Sequence, residues 1–304
     1  MSVVTLPPDS QWTRRWRALR LLITGLLVTI TLGGCVIRVA YNQLDWLALW
    51  YIEDYFELDR AQEPQAKRLI SRTLTWHRAT QLPQYATLAR KVLEGAETSV
   101  DEDFLAARYA EVVELWDGLL QHVAPDLARL LQTLSDEQVE SLFARLAEEN
   151  RELEDDYSGV SLEERRAKQD KEITRAFRRF TGKLNAAQEV LVTGQTAQMH
   201  DLSSDWLRRR AVWQGEFRVL MAGRKADPAF VGRFTDLVLN PNQFDAPGYR
   251  DLVEENRQRS FRLVAEVLGT LTTAQAKQLQ KNLKTYADDF ESLVRASNPE
   301  PGSR

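Results

Sequence analysis

Apolar residues recur along most of the chain at the spacing of one face of an α-helix. A clear example is the series Leu105, Tyr109, Val112, Trp116 and Leu119, whose members stand three or four residues apart. Short segments rich in turn-forming residues separate these stretches, and the sequence shows no sustained alternation of apolar and polar residues. The pattern therefore predicts an all-α protein, built as an antiparallel helical bundle or as stacked helical hairpins.

Proline residues mark two of the predicted helix boundaries. Leu82-Pro83 is expected to end a helix over 64–80 and to begin the next one, because proline suits the first turn of a helix. Pro125 is likewise expected to begin a short helix, after a helix that runs from about Asp101 to His122.

A charged stretch at 154–172 is the best candidate for a boundary inside the chain. It divides the predicted helices into an N-terminal half, 35–157, and a C-terminal half, 158–297, although one continuous domain is an alternative. The last residues, 298–304, have the sequence NPEPGSR and are predicted to be disordered.

One five-residue phrase occurs four times in the chain. It consists of a leucine, a helix-capping residue directly after it, and a glutamine three residues after the cap. In such a capping box the cap side chain accepts a hydrogen bond from the third helical amide, and the glutamine reaches back to the cap amide. The copies are 76, 50 and 87 residues apart, which excludes a solenoid of fixed period. We interpret them as structural helix starts. The copies are 58–62, 134–138, 184–188 and 271–275.

The beginning of the chain has the pattern of an export signal. Four arginines precede a stretch of 14 uncharged residues, 21–34. As a helix that stretch would rise only about 21 Å, short of the roughly 30 Å hydrocarbon core of a bilayer. We therefore predict a signal peptide over 1–34. A retained single-span anchor is the alternative, because the apolar run continues to Ile37.

The signal ends in Leu32-Gly33-Gly34 before Cys35, the only cysteine in the chain, and this ending resembles the lipobox of bacterial lipoproteins. The resemblance implies recognition of Leu32, Gly33 and Gly34 by the signal peptidase and a lipid on the Cys35 sulfur. Val36 follows, rather than the aspartate that retains many such proteins in the inner membrane, which implies an outer-membrane protein facing the periplasm. A buried free cysteine is the alternative for Cys35.

Composition excludes several classes of function. The net charge is −4 over 304 residues, which argues against binding to nucleic acid. A single cysteine excludes an internal disulfide and a cysteine-based zinc site. The sequence contains no HExxH, CxxC, GxSxG or phosphate-binding glycine motif. We therefore assign no catalytic, metal-binding or cofactor-binding residue, and we expect no cofactor.

Two polar features have both a structural and a functional interpretation. His77 lies on an apolar helix face and is interpreted as a hydrogen-bonded histidine of the core or of a groove, whereas His200 is expected to complete a helix C-cap. For the similar segments Glu149-Asn150-Arg151 and Glu255-Asn256-Arg257, the functional interpretation is that they line a shared groove. We favour the simpler interpretation, in which each asparagine forms hydrogen bonds between helices.

The segment 39–57 is predicted to be a helix with apolar groups nearly all round it, a pattern typical of buried helices. Trp46 and Trp50 are therefore expected in the core, and Trp46→Ala is expected to lower stability by about 3–5 kcal/mol. The alternative is an aromatic belt at a membrane surface.

The chain resembles an uncharacterised family of bacterial lipoproteins, the domain of unknown function numbered 6279. The resemblance rests on the phrase 40–47 after Cys35, on Trp76-His77-Arg78 and on the segment 81–85. It covers nearly all of the chain after the signal. It implies an all-helical, lipid-anchored envelope protein and supplies no activity.

We therefore predict a non-enzymatic, membrane-anchored periplasmic lipoprotein that binds an envelope protein partner. A chaperone-like role is a more specific version, because Leu271-Thr272 and Gln275 resemble a phrase of small periplasmic stress chaperones. The alternative is an envelope hydrolase with its site in a cleft between helices. His77 clustered with carboxylates in a deep cleft would favour the hydrolase, whereas a shallow apolar groove would favour binding.

Overall fold

The structure is a computed structural model, and it describes residues 36–297. Throughout this range helices are joined by short turns, and the described range contains no strand. The prediction of an all-α helical bundle is therefore confirmed. The lipobox residues Leu32, Gly33, Gly34 and Cys35 lie outside the described residues, as do the rest of the predicted signal 1–34 and the tail 298–304.

The helices follow one another closely along the chain. In order they are α1 (Val36–Tyr41), α2 (Leu44–Phe56), α3 (Glu63–Trp76), a π-helical turn (His77–Gln81), α4 (Leu82–Thr98), α5 (Glu102–Gln132), α6 (Asp136–Ser158), α7 (Leu162–Thr181), α8 (Ala186–Thr196), α9 (Ser203–Ala222), α10 (Phe230–Leu239), a 3₁₀ turn (Pro241–Phe244), α11 (Tyr249–Gly269) and α12 (Thr273–Ser297).

Buried apolar side chains form three clusters between these helices. The first lies between α5, α6, α9 and α10, and it includes Phe143, Phe217 and Phe230. The second joins α7, α8 and α11 around Leu263, and the third joins α1, α4 and α12 around Leu293. The first cluster draws residues from both sides of position 157. The division of the chain at that position stays a prediction.

The helix boundary predicted at Leu82-Pro83 is wrong. The chain stays helical from Glu63 to Thr98, because the π-helical turn joins α3 to α4. In this turn the amide of Leu82 bonds to the carbonyl of His77, five residues back. The wider turn places Pro83 in the first turn of α4, where a proline needs no intrahelical donor.

The second proline boundary is also wrong, because α5 runs unbroken through Pro125. A proline inside a helix costs about 3 kcal/mol through a lost hydrogen bond and a steric clash. Here the turns on either side of it are held by tertiary packing, since Ala124, Ala128 and Leu131 are all buried in the first core cluster. Packing therefore overrides the local preference.

The aromatic helix α2 does not contain a core tryptophan, so this prediction is wrong too. Trp46 is 52% exposed and Tyr51 is 56% exposed, Trp50 is only partly buried, and no residue of α2 is fully buried. The helix packs against α3 and α6. Its apolar groups surround it, so those on the uncovered sides face solvent. Among the described residues, no helix is long and apolar enough to cross a bilayer.

Candidate binding cleft

A cleft of about 400 Å³ lies between α4, α5, α7, α11 and α12. Its lining is almost wholly hydrocarbon, and each of the five helices contributes. Representative lining residues are Val92, Phe104, Phe177, Val264 and Leu283. The volume falls within the roughly 300–1,000 Å³ that is usual for ligand pockets, and the apolar lining is typical of them as well.

The cleft forms where helical apolar faces meet without filling the space between them. Leu263, Ile173 and Phe177 belong both to its lining and to the second core cluster, so the wall on this side is part of the folded core. On the opposite side Phe104 lies so close to α4 that a Cβ on Gly95 would collide with its ring. Gly95 therefore allows α4 and Phe104 to pack closely at the edge of the cleft.

Arg108 is the one charged side chain among the described residues that line this cleft. Its Nη2 donates to Glu111 Oε1 at 2.6 Å, and its guanidinium lies 5.1 Å from the centre of the Phe104 ring. Lys91 donates to both oxygens of Glu111 at 3.1 Å. Burial acts to raise the pKa of Glu111, but the hydrogen bonds and charges of Lys91 and Arg108 outweigh it and lower that pKa. Glu111 is therefore held as a carboxylate.

His77 lies outside the cleft, in the third core cluster region. Its Nδ1 is hydrogen-bonded to the Tyr41 hydroxyl at 2.9 Å, and its ring lies 5.3 Å from that of Tyr85. Burial lowers the pKa of His77, and the charge of Arg78 lowers it further. The interpretation of His77 as a hydrogen-bonded structural histidine is confirmed. In the described part of the chain, no three histidine, cysteine or acidic side chains converge as a metal site would require.

The interpretation of His200 as a C-cap is wrong. The helix α8 ends at Thr196, and Ala197 occupies the capping position. His200 lies beyond it, with its Nε2 2.7 Å from Glu255 Oε2 on α11. The neighbouring Asp201 accepts from the amide of Ser203 at the start of α9, so the polar pair belongs to the next helix start.

Both asparagines form long-range hydrogen bonds, but only one of them bonds to another helix. Asn150 on α6 donates to Gln214 and accepts from Arg210, both on α9. Asn256 on α11 donates to the carbonyl of His200 at 2.9 Å and accepts from the amide of the same residue at 2.8 Å. The interpretation is confirmed for Asn150, which joins α6 to α9, whereas Asn256 joins α11 to the loop between α8 and α9 and not to another helix.

The glutamines of the repeated phrase make contacts that the sequence did not reveal, because they pair with one another. Gln62 Nε2 donates to Gln138 Oε1 at 3.0 Å, and Gln138 Nε2 donates back to Gln62 Oε1 at 2.8 Å. Each also donates to the backbone just before the other's leucine, Gln62 to Thr133 O and Gln138 to Glu57 O. We call this arrangement the first glutamine clasp.

A second glutamine clasp repeats the same geometry between α8 and α12. Gln188 Nε2 donates to Gln275 Oε1 at 3.1 Å, and Gln275 Nε2 donates back to Gln188 Oε1 at 2.9 Å. Their backbone acceptors are Thr270 O and Lys183 O. In both clasps every glutamine oxygen also accepts from its own cap amide, so the predicted capping boxes exist. Each clasp thus joins two helix starts that are far apart in sequence.

Residues 54–250 match the family of unknown function DUF6279. The chain belongs to this family. The matched range includes the first three glutamine phrases and the π-helical turn of this DUF6279 chain, and it stops before Gln275. No curated protein and no solved structure matches the chain. The lipid anchor at Cys35 stays a prediction.

The functional residues that sequence reasoning missed are those of the cleft, above all Arg108. In the sequence of this DUF6279 chain, the apolar lining residues have the spacing of ordinary core positions. That spacing does not indicate that the helices leave a cleft between them. Arg108 is the single basic residue in the stretch 101–111, beside four acidic residues, and this pattern is typical of a solvent-exposed helix face with ion pairs.

Proposed function

We propose that this DUF6279 protein is a membrane-anchored envelope protein that binds an apolar ligand or partner segment and catalyses no reaction. The observation that carries the proposal is the cleft between α4, α5, α7, α11 and α12, whose lining is almost entirely hydrocarbon. A shallow apolar groove was the feature expected to favour binding over hydrolysis, and the apolar lining of this cleft supports binding in the same way. Contact with hydrocarbon contributes roughly 25 cal/mol for each Å² of apolar surface removed from water.

The polar groups of the cleft support binding rather than hydrolysis. Two hydroxyl groups line it, and both donate to carbonyl groups of their own helices, Thr181 to Phe177 O and Ser260 to Asn256 O. A nucleophilic hydroxyl needs an adjacent base to take its proton. His77 does not line the cleft and is hydrogen-bonded to Tyr41 instead.

The membrane attachment is the second part of the proposal. Cys35 immediately precedes α1, and α1 packs against α12 in the third core cluster. A lipid on Cys35 would therefore join the folded body without a flexible linker and hold it at the bilayer surface. Two or more acyl chains give firm attachment, whereas one gives only marginal binding.

Labelling with fatty acid tests the anchor. Cells that express the chain are grown with a labelled fatty acid, and wild type is compared with Cys35→Ser. The proposal requires label in the wild type and an unlabelled, uncleaved precursor in the variant. Normal labelling of Cys35→Ser would contradict the anchor and leave the cleft unaffected.

Photolabelling tests the cleft in membranes that contain the full chain. A neutral alkyl probe that carries a diazirine is added and irradiated, and the modified peptides are identified by mass spectrometry. We expect label on Phe177 and Val264 peptides. Gly95→Ala should reduce it, because the new methyl group collides with Phe104.

The matched control is Gly194→Ala, since a Cβ on Gly194 meets nothing within 4 Å. Label that is spread evenly over the exposed helices, or that is unchanged in Gly95→Ala, would overturn the assignment of the cleft as the binding site.

A further inference from the structure

We propose that the ligand of the cleft is a single acyl chain with an anionic head group, and that Arg108 binds this head. The proposal rests on the proposed function and deepens it, because it names the class of ligand. The head could be the carboxylate of a fatty acid or the phosphate of a lysophospholipid, which share the same chemistry.

The apolar walls define the tail of the ligand. Five helices supply hydrocarbon side chains, and the two hydroxyl groups among the lining residues are satisfied by backbone carbonyls. A rigid polar ligand would lose its hydrogen bonds to water without gaining others. A flexible hydrocarbon chain loses none, and each buried methylene strengthens binding roughly fourfold. A volume of about 400 Å³ lies near the lower end of the usual range for ligand pockets, which favours one chain over two.

Arg108 defines the head. Its Nε is buried and has no hydrogen-bond partner among the described residues 36–297, although Glu111 accepts from Nη2. A guanidinium offers five N–H groups in a planar fork that suits carboxylates and phosphates. A buried donor without a partner is unfavourable, so a ligand oxygen that accepts from it gains binding free energy.

The surrounding charges agree with an anionic head. Lys91 and Arg108 share one acidic partner, Glu111, so this end of the cleft carries one more positive than negative charge among these three groups. The Phe104 ring against the guanidinium limits how far Arg108 can move toward water. A neutral alcohol or ester would leave that charge unbalanced, whereas an anion complements it.

The test is competition for photolabelling in membranes that contain the full chain. The probe is palmitic acid that carries a diazirine in its chain, and the competitors are palmitate, lysophosphatidylglycerol and methyl palmitate. We expect an anionic competitor to displace the probe at a concentration roughly 10- to 100-fold lower than methyl palmitate, the range for a charge-assisted hydrogen bond. Whichever anion competes at the lower concentration identifies the source of the head group.

Arg108→Gln should remove the preference for anions and leave labelling by the neutral alkyl probe unchanged. The matched control is Arg218→Gln, because Arg218 also pairs with a glutamate and lies over a phenylalanine ring, but on α9 away from the cleft. The control should label like the wild type.

Two results would overturn the proposal. One is equal competition by palmitate and methyl palmitate, and the other is an unchanged anion preference in Arg108→Gln. Both leave the cleft as a site for neutral apolar groups. If the neutral probe itself does not label the cleft, the proposed function fails as well, so the two failures are distinguishable.

A second substitution keeps the test independent of folding. Ala176 lines the cleft but is exposed, so a tryptophan there can block the entrance without displacing core residues. Ala176→Trp should reduce labelling by both the acidic and the neutral probe, with unchanged circular dichroism. Undiminished labelling by both probes would place the ligand elsewhere.

Discussion

The two glutamine clasps have nearly the same hydrogen bonds but different surroundings. In the second clasp both Gln188 and Gln275 are buried, and Gln188 has no exposed surface at all. In the first clasp Gln62 is 3% exposed, whereas Gln138 is only partly buried. The first clasp also lies beside Arg224, a buried arginine that donates to Leu134 O at 2.8 Å. Within residues 36–297, no arginine donates to the equivalent leucine carbonyls of the second clasp, Leu184 O and Leu271 O.

The comparison shows which contacts are part of the clasp and which are additions. The reciprocal pairing, the bond to the cap amide and the bond to the distant backbone occur in both. The second clasp is more deeply buried, and the first clasp has the neighbouring arginine. Water can replace a lost partner at Gln138 but not at Gln275, so the same substitution should have different effects on the two clasps.

The largest effect is expected from Gln188→Leu. The change removes the buried partner of Gln275 and takes away the donor that the carbonyl of Thr270 accepts from. Each buried unsatisfied group costs about 1–3 kcal/mol, so we expect a loss of about 3 kcal/mol in the free energy of unfolding. Urea unfolding followed by circular dichroism measures it.

The control for this variant is Gln198→Leu, whose exposed side chain lies at the end of the same helix region. It should change stability by no more than about 0.5 kcal/mol. A loss in Gln188→Leu no larger than in the control would show that the second clasp is not a stabilising contact.

Gln62→Leu should have a smaller effect, about 2 kcal/mol. The equivalent hydrogen bonds are lost, but the partner Gln138 is only partly buried, so water can replace the lost partner there. The same unfolding experiment compares the two clasps directly. A loss equal to or larger than that of Gln188→Leu would contradict the role assigned to burial.

Removing the cap hydroxyls should have nearly equal effects in the two clasps. Ser135 and Thr272 each accept from the amide three residues later, at 3.2 and 3.3 Å. Ser135→Ala and Thr272→Ala should each cost about 1 kcal/mol, and neither should alter photolabelling of the cleft. Loss of binding without loss of stability would show that the phrase has a functional rather than a structural role.

The smallest effect is expected from His77, which lies between the two glutamines of the first clasp in the sequence. Because burial lowers the pKa of His77 in the folded protein, the unfolded chain binds this proton more tightly. Stability should therefore decrease as the pH falls from the unfolded pKa of 6.5 toward the lower folded pKa, and it should be fully present above 6.5.

His77→Gln should flatten this part of the stability profile, which is measured by urea unfolding at a series of pH values. The control is His200→Gln, which changes a histidine between the two glutamines of the second clasp. It should retain the contribution of His77 to the pH dependence of stability. A profile that keeps the same slope in His77→Gln would mean that another group is responsible.

The sequence predicted the parts of the fold that depend on local chemistry. The helices follow from apolar spacing, and the caps at Ser135 and Asn185 are found where the phrases placed them. The prolines were misleading, because a π-helical turn accommodates Pro83 and tertiary packing accommodates Pro125. Neither compensation is visible in the residues next to the proline.

The tertiary pairing of the glutamines and the cleft could not be predicted in the same way. Each glutamine looked like one half of a local capping box, and the sequence does not indicate which two boxes meet. The cleft depends on how far five helices stand apart, whereas the periodicity shows only which face of each helix is apolar. Exposure of Trp46 was missed for a related reason, since α2 has more apolar surface than its two neighbours cover.

The first and last described helices adjoin. Arg38 pairs with Asp289 at 3.2 Å, and Tyr41 shares a core cluster with Leu293. A contact between segments about 250 residues apart in sequence closes a very long loop, which is slow to form. During synthesis and any passage across a membrane, α1 can therefore contact His77 and α4 early, but it lacks its contacts with α12 until the C-terminal helix has emerged. Completion of the third core cluster is thus a late step, in which the C-terminal helix packs against a helix that was synthesised much earlier.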